Sequence, residues 1–136
     1  MSDDPRPLLE ASLVEMDACL ASGDWSPFFA WTEGTRSEGG VIHLPYPRYG
    51  AAEARMWKAY EACGFDYGGH DYIGWENRFG RRPEDPDTIA AMTRDDLLFF
   101  LTKCSRGERF CDGHIAGLLE DGVFRAVTAR WLAVLR

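Results

Sequence analysis

The stretch RGERFCDGH, Arg106 to His114, gathers two arginines, two acids, a cysteine and a histidine into nine residues. A helix beginning at Cys111 or Asp112 would offer the free backbone N–H groups of its first turn and the positive end of its dipole. Arg106 and Arg109 lie just upstream, and two guanidiniums beside such a terminus suit a phosphate or carboxylate. The same residues admit an internal solution, in which Glu108 and Asp112 pair with the arginines and Asp112 acts as N-cap. A helix terminus and nearby cations would also favour the thiolate of Cys111. His114, three residues on, would share its helical face, with Asp112 or Glu108 to orient the imidazole. No oxyanion pocket is legible, so no catalytic residue is assigned; Cys111, His114, Asp112 and Glu108 are the candidates. The spacing Cys104-x6-Cys111-x2-His114 supplies at most three soft ligands and departs from the close pairs of structural zinc. His43, His70 or Cys63 would have to complete such a set. No metal site and no cofactor is therefore expected.

A second region, FDYGGHDYIGWENRFG, interleaves aromatic residues with glycines. Tyr67, Tyr72 and Trp75 combine apolar bodies with polar tips, the chemistry of a ligand pocket. Asp66, His70, Asp71 and Glu76 stand near as polar anchors. The same aromatics would also serve to pin a loop to the core. The ligand-binding candidates are thus Arg106, Arg109, His114, Tyr67, Tyr72 and Trp75.

Positioning these residues requires helices. Leu9, Leu13, Met16 and Leu20 recur at helical spacing and predict a first helix over 7–21, with Cys19 inside its apolar face and Gly23 beyond it. SPFFAW suggests a short helical turn. The stretch 32–50 reads as loop, with one extended piece cut by Pro45 and Pro47. A helix over 51–63 would bury Met56, Trp57, Tyr60 and Cys63, and a short one is expected near 73–79. PEDPDTIAAM reads as a loop feeding a single turn. Thr93 and Asp96 resemble a capping box opening a buried central helix that Gly107 would stop. The next helix would run from Cys111 or Asp112 to Gly122, and the last would carry Phe124, Val127 and Trp131 on one face. The fold class is mainly α: a compact small domain of five to seven helices with at most one short strand pair.

The chain of 136 residues, 46% hydrophobic and 13% aromatic, fits one domain over 1–136, with 1–6 expected to be flexible. A formal net charge of −7 with scattered acids disfavours nucleic acid, whose phosphates need Lys and Arg, and a polybasic hold on membranes. The longest apolar run, Leu97 to Leu101, is too short to span a bilayer. The start of the chain has no signal-peptide pattern. A cytoplasmic protein with four reduced cysteines is expected.

The segment FLTKCSRGERFCDGHIAGLLEDG resembles the signature of a bacterial family of unknown function, DUF6508. The resemblance rests on Leu101, Thr102, Arg106, Arg109, Phe110, Cys111, Asp112, Gly113, His114 and Gly122, and on Phe65, Asp66, Tyr67 and Trp75. It implies a small, mostly helical bacterial protein and brings no activity, cofactor or partner. The residues point to a non-enzymatic binding module for a small anionic ligand or a protein partner at the Arg106–His114 junction. The alternatives are a cysteine-dependent enzyme using Cys111 and His114, and an acidic interaction or inhibitor domain.

Overall fold

Helix α1 (Arg6–Ser22) opens behind Pro5 and ends on Gly23, whose left-handed φ of 74° lets its N–H return to the Cys19 carbonyl. It begins one residue before the expected start and buries Leu9, Ser12, Met16 and Cys19 against α2 (Ala51–Ala62) and α7 (Val123–Val134). The computed structural model describes residues 4–36, 39–40, 42–43, 45–67 and 71–135. Those residues form seven helices and two short antiparallel strand pairs, a mainly α domain.

The strands occupy a single excursion between α1 and α2. β1 (Phe29–Trp31) pairs with β4 (Pro47–Tyr49) in the register Phe29 with Tyr49 and Trp31 with Pro47. Inside that pair lies a second of two residues per strand, β2 (Thr35–Arg36) with β3 (Ile42–His43). The helical turn expected at SPFFAW is thus confined to residues 26–28, and Phe29 to Trp31 is extended. Pairing decides this: the β4 partner is remote in sequence, and Pro47, which lacks a donor, sits at the end of the ladder, where it is tolerated.

The remaining helices are α3 (Tyr72–Phe79), α4 (Pro86–Ile89), α5 (Arg94–Phe110) and α6 (His114–Glu120). Thr93 accepts from the Asp96 amide while the Asp96 side chain accepts from the Thr93 amide, so α5 opens on the expected capping box. Leu97, Leu98, Phe100, Leu101 and Cys104 are buried along it. At the centre of the core, Tyr60 of α2 stacks on Trp131 of α7, ring centroids 5.5 Å apart. Its hydroxyl bonds to Thr128 Oγ1 at 2.9 Å, and Thr128 in turn donates to the Phe124 carbonyl. The buried hydroxyls are thereby satisfied inside an aromatic cluster. Among the described residues no helix is long and apolar enough to cross a membrane.

Candidate functional site

Two expectations about the junction are corrected. Gly107 does not stop α5, which continues to Phe110. A Cβ at Gly107 would lie 2.6 Å from His114 Nε2, so this glycine makes room for the histidine ring within the helix. Nor does α6 begin at Cys111 or Asp112: it begins at His114 with Gly113 as N-cap. Gly113 has φ 92°, and a Cβ there would meet Trp31 Cη2 at 2.7 Å. Only glycine meets both demands. Cys111 therefore precedes α6 with extended backbone, and the common helical face proposed for Cys111 and His114 does not exist. Cys111 and Asp112 are exposed, and His114 is half-buried.

Every early amide of α6 already has a partner. Glu108 Oε2 accepts from the Gly113 amide at 3.0 Å, and Glu108 Oε1 accepts from the Ile115 amide at 2.9 Å. The His114 amide donates to the Cys111 carbonyl. The Ala116 amide donates to the Tyr49 hydroxyl, which itself donates to Glu108 Oε1 at 2.7 Å. The anion at this terminus is thus the protein's own carboxylate. Glu108 lies in the last turn of α5, the unfavourable end of that helix's dipole for an acid, and serves the favourable end of the next one. Burial and the hydrogen bond to Glu108 raise the Tyr49 phenol well above its usual range, so it remains a donor.

Beside this junction lies a cleft of about 400 Å³, within the range of roughly 300–1,000 Å³ common for small-molecule sites. α2 contributes Glu53 and Trp57, the loop after α2 contributes Tyr67, α5 contributes Ser105, Arg106 and Glu108, and α6 contributes Ile115. The cleft brings together Arg106 and Tyr67, two of the expected ligand-binding residues, with the candidate Glu108.

The other candidates stand elsewhere. Trp75 is buried, donates its indole N–H to Asp96 at 3.0 Å and stacks on Phe79 and Phe99. Tyr72 begins α3 and lies outside the cleft lining, as do His114, Cys111 and Asp112. Arg109 is placed on α5, but its side chain lies outside the described residues, as does His70. Cys104 is buried on α5, and among the described residues no three His, Cys, Asp or Glu side chains gather as metal ligands.

The internal pairing of Arg106 with Glu108 or Asp112 does not form. The described salt bridges join Arg6 to Asp4, Arg55 to Glu15, Lys103 to Glu76 and Glu84, and Arg125 to Asp17. Arg94 and Arg130 donate to the backbone carbonyls of Cys63 and Met92. Arg106 takes part in none of these, and its Nε is buried without a partner. Ser12 Oγ and Trp131 Nε1 share that condition, but both are neutral and lie outside the cleft lining.

Two residues of the site were not singled out from sequence. Tyr49 sits in the proline-cut segment. Glu53 reads as an ordinary acid in the first turn of α2, and its one signal is a four-residue spacing to Trp57, which places both on one helical face.

Burial and the nearby Glu108 charge push the Glu53 carboxyl up from its usual range, against a hydrogen bond from Trp57 that lowers it. A carboxyl raised on folding makes its ionised form a liability above that raised pKa, and the liability disappears once pH falls below the unfolded value. Glu53→Gln is therefore expected to melt higher than the parent at pH 7, by no more than about 3 °C given solvent screening. It should melt level with it at pH 4. Thermal unfolding followed by circular dichroism at the two pH values checks this, and a lower melting point for Glu53→Gln at pH 7 would contradict it.

The model of the family of unknown function DUF6508 matches residues 19–136, which covers both the cleft and the helix junction. The chain belongs to the DUF6508 family. No curated protein and no solved structure matches it. This DUF6508 chain therefore has its site defined by its own geometry.

Proposed function

We propose that this protein is a binding module that holds the anionic group of a small ligand at Arg106, in the cleft between α2, α5 and α6. The observation that carries this is the buried Arg106 Nε without a partner, in a chain whose Arg6, Arg55, Arg94, Arg125 and Arg130 all have theirs. An unsatisfied buried donor is costly, more so on a charged group, and a small rotation of the half-buried Arg106 side chain would let a carboxylate or phosphate oxygen in the cleft satisfy it with a charge-assisted hydrogen bond. Glu108 already occupies the amino terminus of α6, which leaves the cleft beside the junction as the place for an external anion. Cys111 and His114 lie outside the cleft lining, which favours binding over cysteine chemistry.

Isothermal titration with inorganic phosphate and a series of carboxylates tests this. At least one of these anions should bind, and Arg106→Gln should weaken that binding about tenfold or more while the protein still unfolds cooperatively. Equal affinity in Arg106→Gln, or no binding anywhere in the series, would sink the proposal.

A further inference from the structure

The cleft that holds Arg106 also holds two carboxylates, and they are not equivalent. Glu108 is committed, its two oxygens accepting from the Gly113 and Ile115 amides and from the Tyr49 hydroxyl. Glu53 has a hydrogen bond from Trp57 and, among the described residues, no ion pair. Burial raises its carboxyl, and the like charge of Glu108 adds to that rise. Among the described residues, no cation pairs with this half-buried carboxylate. Trp57 and Tyr67 line the same cleft with ring centroids 5.9 Å apart, and aromatic rings beside a carboxylate are a setting suited to an ammonium group. A ligand that was only an anion would satisfy Arg106 while adding a third negative charge to the cleft.

We infer that the cleft takes a zwitterionic ligand, an amino carboxylate whose acid group meets Arg106 and whose ammonium group meets Glu53 beside Trp57 and Tyr67. This rests on Arg106 holding the anionic end. It differs from simple anion binding in requiring a positive charge on the same molecule, at a separation that the two side chains set. Tyr67 is part of the ammonium site through its ring, since its hydroxyl bonds to Glu61.

The experiment compares two ladders of compounds by isothermal titration: acetate, butanoate and hexanoate against glycine, 4-aminobutanoate and 6-aminohexanoate. At one chain length or more, the amino group should tighten binding about tenfold. Glu53→Gln should erase that gain and bind the plain acid at least as tightly as the parent, since one negative charge has left the cleft, whereas Arg106→Gln should weaken both ladders. Thermal melts of both variants establish that they fold. If the acids bind and the amino group adds nothing at any length, or if its benefit survives in Glu53→Gln, the zwitterion assignment is overturned while the anion site at Arg106 stands. If neither ladder nor inorganic phosphate binds, both fail together.

Discussion

Replacing Glu108 by alanine is expected to destabilise the protein by about 3 kcal/mol, lowering its melting point by roughly 10 °C. The carboxylate accepts three hydrogen bonds, from the Gly113 and Ile115 amides and the Tyr49 hydroxyl. Hydrogen bonds to a charged acceptor contribute about 1.5–3 kcal/mol where buried; the half-buried position of Glu108 brings each below that range, to about 1 kcal/mol. Loss of the side chain strips the first turn of α6 of its cap and leaves Tyr49, which also receives the Ala116 amide, without its acceptor. Glu108→Gln should lose about half as much, because one amide oxygen can still accept while the NH₂ group faces donors. Denaturant melts of the two variants beside the parent give the comparison. A Glu108→Ala protein within about 2 °C of the parent would show that water replaces the carboxylate at no cost, and that Glu108 is not the cap of α6.

This cap explains why the architecture was more legible in the sequence than the site. The capping box of Thr93 and Asp96, the buried face of Met56, Trp57 and Tyr60, and the last helix with Phe124, Val127 and Trp131 are local patterns, and local patterns survive folding. The start of α6 does not follow the local rule. Asp112 is the better cap by residue type, but Glu108 folds back from the previous helix and Gly113 takes the left-handed conformation that brings the chain round. The strand of Phe29 to Trp31 was equally hidden, because its partner at Pro47 to Tyr49 lies across a long excursion. Of the aromatic segment, Tyr67 reaches the cleft, whereas α3 turns Trp75 onto Asp96 and Phe99 of α5. Composition alone could not divide them. Arg106 was identifiable by charge, but its neighbour Glu53 was not, since an acid in the first turn of a helix is ordinarily explained by that helix's dipole.

Alkylation of the native protein should modify a single thiol quickly, that of Cys111, with the other three slower by at least about a thousandfold. Cys111 is exposed, whereas Cys19, Cys63 and Cys104 are 4%, 6% and 1% exposed. Burial also pushes the Cys63 thiol up to about 11 and the Cys104 thiol higher still. At pH 8 only about a thousandth of a thiol like Cys63 is thiolate, and Cys104, packed on α5, reacts only when the core opens. Iodoacetamide labelling followed by mass spectrometry, with and without 6 M urea as the ~fully unfolded reference, reads all four thiols at once. Fast native labelling of Cys104 would mean that α5 is not a closed core helix in solution. The Cys111→Ser variant carries the test to the cleft. Cys111 is no part of its lining, so the variant should lose the fast-reacting thiol and keep the parent's affinity for the cleft's ligands. Loss of both would bring the thiol into the site and restore the cysteine chemistry that the geometry argues against.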